Sequence, residues 1–328
     1  MNNIICLGLL AILILCMPLS GQSLNGEPFT HTFSIVAIDQ ERGEMGVAVQ
    51  SHWFSVGSIV TWSEPGVGAI ATQSLVNVSF GPRGLEMMKS GESAGETLSA
   101  LLESDEGREF RQVGIVDAQG NIASYTGKQC IADASHIAGK NYSVQANMML
   151  NKEVVPAMSK AFENSKGPLA ERMLAALKAA QKAGGDIRGQ QSAAILVVKT
   201  KSSGKLWEDR LIDLRVEDHP QAVNEIERIL KVFRAYEHMN NGDLAIEKND
   251  EAAALEEYGA AQNMFPENIE MKYWTAVSLA NIGKIDDALP VFKEIFAKDE
   301  NWRELTRRIA VNGMLTVSPE NLNLILVQ

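Results

Sequence analysis

The chain has 328 residues, which at about 150 residues per domain suggests two domains. Hydrophobic residues make up 45% and charged residues 22%, so the chain is neither disordered nor collagen-like. Lys plus Arg is 30 against 41 Asp plus Glu, a net charge of −11 without a basic patch, which argues against nucleic acid or an anionic lipid surface as a partner.

The first element in chain order is an apolar run over residues 4–19. It is short for a membrane-spanning helix and fits the core of a secretion signal. Small residues follow at Ser20, Gly21 and Ser23, where a signal peptidase could cut. Residues 1–23 are therefore expected to be a signal peptide, and the mature protein to be periplasmic or extracellular; an uncleaved anchor is the rival reading. Cys6 and Cys16 leave with the signal, so Cys130 stays alone and forms no internal disulfide.

Residues 28–219 read as one α+β domain. Residues 32–39 and 45–51 form a hairpin around Gln40-Glu-Arg-Gly43, followed by a loop over 52–57. Residues 58–62 and 67–73 are strands around Glu64-Pro65-Gly66. A helix runs from Gly81-Pro82 to Lys89, and a second over 93–102 has Ser93 and Glu96 at capping-box spacing. Residues 112–117 and 122–126 form another hairpin, and 142–149 are extended. Amphipathic helices follow over 154–163 and 169–182, the second stopped by Gly184-Gly185, then strands over 192–200 and 207–216. Strands, two helices, strands, two helices, strands is the order of a four-layer αββα sandwich, with helices outside two antiparallel sheets.

Pro220 marks the boundary, after which the pattern is helical. Gly242, Ala254, Tyr258, Ala261 and Pro266 carry the offsets of a tetratricopeptide repeat, and Ala276, Gly283, Ala288, Phe292 and Ile295 carry a second register. Residues 220–316 are expected to form these repeats, capped by helices over 221–239 and 302–315, with 317–328 as a tail. Two repeats bury too little alone, so they should pack on the first domain or a partner.

The first domain resembles a bacterial family known as domain of unknown function 1028. The resemblance rests on Thr32-Phe-Ser-Ile-Val-Ala, Gly46-Val-Ala-Val-Gln-Ser-His-Trp-Phe-Ser-Val-Gly57, Gly66-Val-Gly-Ala-Ile-Ala-Thr-Gln73, Phe80-Gly-Pro-Arg-Gly-Leu85, Arg111-Gln-Val-Gly114, Tyr142-Ser-Val-Gln-Ala-Asn-Met148, Gly189-Gln-Gln-Ser-Ala193 and Asp213-Leu-Arg-Val-Glu-Asp-His-Pro220. It implies an N-terminal-nucleophile (Ntn) hydrolase-like αββα fold, suggests amide hydrolysis and supplies no substrate. Some members of the family carry a C-terminal module assigned to peptidoglycan binding.

An Ntn hydrolase needs a Thr, Ser or Cys at the free start of its first strand, whose own α-amino group is the general base. Thr30, Thr32 and Ser34 stand there, and Thr32 opens the family-like block. In proteasome-like members the second strand ends in an Ala-Asp-Ser-Arg type of segment and a Lys follows. Here the matching stretch is Val49-Gln50-Ser51-His52, and no Lys occurs between Thr32 and Lys89. His52 is the candidate compensating base. Gln73 and Asn147, with Gln190 and Gln191, are amides suited to an oxyanion hole or a polar pocket for an amide or sugar. Gln50, Ser51 and Ser192 adjoin them in sequence blocks, and Trp53 could stack on a sugar ring. The five His residues show no metal-ligand spacing, and no dinucleotide or phosphate loop is present, so neither metal nor cofactor is expected. The expected partners are a small peptide, amide or cell-wall fragment and, through the repeats, a protein; a homo-oligomer is a further candidate. A non-catalytic envelope-binding protein and an interaction scaffold remain as alternatives to the hydrolase.

Overall fold

Runs in which nearly every residue is apolar or small, such as Thr32–Asp39, make strands that are covered on both faces. The computed structural model describes residues 29–328, so the signal-peptide reading of 1–23 lies outside the described residues. In chain order the elements are β1 Phe29–Thr30, β2 Thr32–Asp39, β3 Glu44–Ser51, β4 Thr61–Glu64, β5 Gly68–Leu75, α1 Phe80–Lys89, α2 Ala94–Glu103, β6 Arg111–Asp117, β7 Ile122–Thr126, β8 Ser135–Gly139 and β9 Tyr142–Ala146. There follow α3 Val154–Asn164, α4 Leu169–Lys182, β10 Ser192–Lys199, α5 Leu206–Asp209 and β11 Arg210–Val216. The C-terminal region is α6 Ala222–Glu247, α7 Glu251–Met264, α8 Ile269–Asn281, α9 Ile285–Lys298, α10 Asn301–Asn312 and α11 Pro319–Leu326.

The strands form two antiparallel sheets. One has the order β11-β10-β3-β2-β9-β8; in the other, β1 and β4 both pair with β5, which is followed by β6 and β7. The period of two sorts the side chains. Val36 and Ile38 of β2 meet Val47, Val49, Ala71 and Val116 between the sheets. Phe33, Ile35 and Ala37 point the other way, against α3 and α4. On the far side Phe80, Leu85, Leu98 and Leu101 of α1 and α2 cover Ile70, Val113 and Ile115. The capping box at Ser93 and Glu96 forms as the spacing predicts.

Only part of the space between the sheets is apolar. The rest is a buried hydrogen-bonded seam. Ser124 donates to Ser143 (2.6 Å), Ser143 to Gln145 (2.9 Å), Gln145 to Ser34 (2.7 Å) and Ser34 to Gln73 (2.6 Å). Gln73 and Asn147 then both donate to Gln112 Oε1, at 2.7 and 2.9 Å. Gly114 makes room for the seam: a Cβ there would lie 2.5 Å from Gln145 Oε1. Gln112→Leu leaves the Asn147 amide and the Ala146 carbonyl short of a partner. It should destabilise the fold by about 2–4 kcal/mol, read from the denaturant midpoint; an unchanged midpoint would show the seam to be energetically idle.

The elements of the first domain and the tail depart from the sequence reading at five places. Residues 56–58 form a short 3₁₀ turn and the strand begins only at Thr61, because Ser55 (φ 55°) turns the chain before it. Residues 206–209 are a helical turn in place of a strand, with the buried Asp209 carboxylate accepting the Ser203 amide at 2.7 Å. β8 is largely exposed and lacks the alternation that marks a strand. β1 precedes the expected first strand. The stretch 317–328 contains α11, opened by the Ser318 cap and Pro319.

α6 is a single helix of 26 residues where a cap and a repeat helix were expected separately. Its first half puts Val223, Ile226 and Leu230 into the core beneath α4 and β10. Its second half packs Ala235, Met239 and Ala245 on Ala254, Tyr258 and Ala261 of α7. The helical region is thus joined to the sheets by one continuous rod. Gly242 lies under the Tyr258 ring, where a Cβ would come within 2.4 Å of a ring carbon. Gly242→Ala should therefore cost about 1–3 kcal/mol by overpacking, visible as a lower melting temperature. An unaltered melting temperature would contradict this close approach.

Candidate functional site

β1 belongs to one sheet and β2 to the other, so the chain crosses between them at the single residue His31. Thr30, His31 and Thr32 are all buried there. The carbonyl of His31, which is the peptide group directly before Thr32, accepts two side-chain hydrogen bonds. One comes from Ser51 Oγ at 2.6 Å, the other from the Arg188 guanidinium at 2.9 Å. Ser51 is in place because it is the register partner of Thr32 across β2 and β3.

Arg188 is aimed by Asp186. The two share a bidentate pair, Nε to Oδ1 at 3.0 Å and Nη2 to Oδ2 at 2.7 Å, and the Asp186 side chain is completely buried. The Arg188 amide also donates to Asp186 Oδ1 at 2.9 Å, and the His52 amide to Oδ2 at 3.4 Å. This loop is tied down by Leu150 N–H to Gly185 O (2.9 Å) and Ile187 N–H to Met148 O (3.2 Å). A fixed planar cation pointed at a peptide oxygen is the geometry that stabilises negative charge developing on that oxygen.

Thr32 is held from its other side. Its carbonyl accepts the Asn147 amide at 3.1 Å and Gln73 Nε2 at 3.2 Å, and its hydroxyl donates back to Thr30 O at 2.8 Å. His31 Nδ1–H donates to the side-chain Oδ1 of Asn147 at 2.8 Å. Burial pushes the His31 imidazole below its ordinary range, so it is neutral at pH 7. Ser74 (φ 77°) and Met148 (φ 58°) flank this region in the left-handed conformation, which costs a non-glycine residue about 1–3 kcal/mol.

The residues singled out from the sequence fall into three groups. Thr32, Ser51, Gln73 and Asn147 come together around the His31–Thr32 peptide, with Gln73 and Asn147 bonded into the seam between the sheets. Gln50 and His52 adjoin the Asp186 loop. Gln50 Nε2 reaches Gly189 O at 3.5 Å, while Gln50 Oε1 and His52 Nδ1 are buried without a hydrogen-bond partner among the described residues. The third group is occupied elsewhere. Gln190 accepts the Val223 amide at the start of α6, Gln191 donates to Asp218, and Ser192 donates to the Trp53 carbonyl. The four amides expected to share one pocket therefore sit in two places.

Asp186 and Arg188 escaped the sequence reading. Arg188 and His31 are 157 positions apart, so no spacing rule connects them. The only signal was their position just ahead of Gly189-Gln-Gln-Ser-Ala193. They supply an acid and a cation near Thr32, whereas the acids of β2 and β3, Asp39 and Glu44, pair at the opposite end of those strands. Cys130 is no rival nucleophile: its thiol donates to Arg111 O at 3.3 Å, and burial pushes its pKa up, leaving the thiol protonated at neutral pH.

The profile of the family of unknown function DUF1028 matches residues 32–226. Among solved structures the chain is similar to the crystal structure of protein SPO2555 from Silicibacter pomeroyi, of the same family, with 29% identity and a TM-score of 0.56. That likeness covers 61% of this chain and 85% of the other. The search of curated proteins found no significant match.

Proposed function

The chain belongs to the DUF1028 family, and on that premise we propose that it is a self-processing amide hydrolase of the N-terminal-nucleophile type. The observation that carries the reading is the His31 carbonyl, held by Ser51 and Arg188 beside the hydroxyl-bearing Thr32. On this reading the two sheets with their covering helices are the αββα sandwich of that class, and α6 to α9 are two tetratricopeptide-like pairs.

The first turnover is on the chain itself. Thr32 Oγ attacks the His31 carbonyl carbon, and the oxygen takes up negative charge between Ser51 Oγ and Arg188. The C–N bond then breaks, the Thr32 nitrogen leaves as an amine with the proton that the hydroxyl gave up to the base, and the acyl group rests on Oγ as an ester. Water hydrolyses the ester and frees Thr32. Its α-amine, with a pKa of about 7.7–8.0, is partly neutral at physiological pH and takes the hydroxyl proton in later turnovers. Gln73 and Asn147 hold the Thr32 carbonyl so that the strand end keeps its position. His52, next to Ser51, is the base proposed for the uncut chain. With export through residues 1–23, the substrate is a small peptide, amide or cell-wall fragment outside the cytoplasm.

A second reading, a non-catalytic envelope-binding protein, draws support from the burial of Thr30, His31 and Thr32 and from the engaged Thr32 hydroxyl. Treating the purified protein with a β-lactone separates the two. The hydrolase reading requires an acyl adduct on the peptide that begins with Thr32. No adduct on Thr32, at a concentration that labels a known Ntn enzyme, supports the binder.

A further inference from the structure

The helical region contains a cleft of about 470 Å³ between α6, α7 and α8, closed at one end by the turn after α10. Its charge is one-sided. Asp243, Glu247 and Glu270 line it, and no Lys, Arg or His does among the described residues. The Tyr258 hydroxyl donates to Asp243 at 2.6 Å and the Tyr236 hydroxyl to Glu270 at 2.8 Å, so these carboxylates are fixed in direction and have no ion-pair partner among the described residues. Trp274 forms an aromatic wall, stacked on Tyr258 with ring centroids 6.5 Å apart.

Ser278 adds an independent observation. It is 1% exposed, lines the cleft, and its hydroxyl has no hydrogen-bond partner among the described residues. A serine inside a helix ordinarily donates back to the carbonyl four residues earlier. Here the hydroxyl is left over beside the cleft, where a buried polar group without a partner is destabilising unless a ligand satisfies it.

We propose that this cleft binds an arginine side chain presented by a peptide segment of a partner protein. The volume suits one long side chain with its flanking backbone and is too small for a folded domain. A guanidinium meets all three features: its fork of N–H donors matches the carboxylates and the Ser278 oxygen, and its flat face stacks on Trp274. A lysine ammonium would satisfy the charge without the stacking. The site is separate from the His31–Thr32 region and does not depend on hydrolysis.

The test titrates the full chain with acetyl-Gly-Gly-Arg-Gly-Gly-amide and follows tryptophan fluorescence and calorimetric heat. The same peptide with citrulline, which has nearly the same shape and no charge, is the comparison. Saturable binding of the arginine peptide is expected, at least tenfold tighter than the citrulline peptide. The double substitution Glu247→Gln and Glu270→Gln should weaken it tenfold or more with the melting temperature retained. Ser278→Ala should weaken it severalfold without loss of stability. If the double variant fails to fold, the citrulline comparison decides alone. Equal affinity for the two peptides, no saturable binding, or binding that survives both sets of substitutions in folded protein would overturn the proposal.

Discussion

Thr32→Ala is expected to leave the bond after His31 intact in every molecule, whereas the unaltered chain is cut there. The substitution removes the attacking oxygen and leaves the holding groups in place: the Ser51 and Arg188 donors act on the His31 carbonyl, and Gln73 and Asn147 on the Thr32 carbonyl. Thr32→Ser keeps an oxygen at that position and should still be cut. Arg188→Met separates attack from stabilisation. Losing one donor to a developing oxyanion typically slows such a step by about 10²–10³, and Arg188 is the charged one of the two. A time course of intact mass after expression reads all three variants. Cutting of Thr32→Ala at the rate of the parent chain would remove Thr32 from the chemistry.

A large loss of stability is expected from Asp186→Ala. The Asp186 carboxylate is fully buried, and its removal strands the Arg188 guanidinium, whose side chain is only 28% exposed. Breaking a buried pair from one side costs about 3–5 kcal/mol, and the partial exposure of Arg188 puts the value at the lower end, about 3 kcal/mol. The denaturant midpoint should fall accordingly. Replacing both partners together, Asp186→Leu with Arg188→Met, should recover most of that stability, because it leaves no charge buried alone. It should not recover cutting. A double variant that is both stable and cut at the parental rate would reduce the pair to a structural role.

Much of the fold was legible because burial leaves a period in the sequence. The helices α1 to α4 carry that period, while β2, β3, β5 and β10 show as short, mostly apolar or small runs buried on both faces, and their order along the chain matches the two sheets observed. The seam between the sheets was not legible. Ser34 and Gln145 are polar between apolar neighbours, and Gln73 and Gln112 stand beside other polar residues, which reads as a solvent-facing or ligand-facing side, yet all four are completely buried and bonded in the order Gln145, Ser34, Gln73, Gln112. Thr32 was chosen among three strand-start hydroxyls because it opens the family-like block, and in the structure it begins β2 directly after His31, the one-residue crossover between the sheets. The pair that faces that crossover came from a loop following α4, and only the folded chain brings it there. α11 was missed for a different reason: it is a helix of 8 residues, too short to show a repeat of its own.

The most direct measurement is the N-terminal residue of the purified protein, read from intact mass and confirmed by sequencing the terminal peptide. The account predicts a chain that begins at Thr32, with a free α-amine and a mass equal to residues 32–328. A protein that begins near Gln22, with His31 still joined to Thr32 after prolonged incubation at neutral pH, would contradict it.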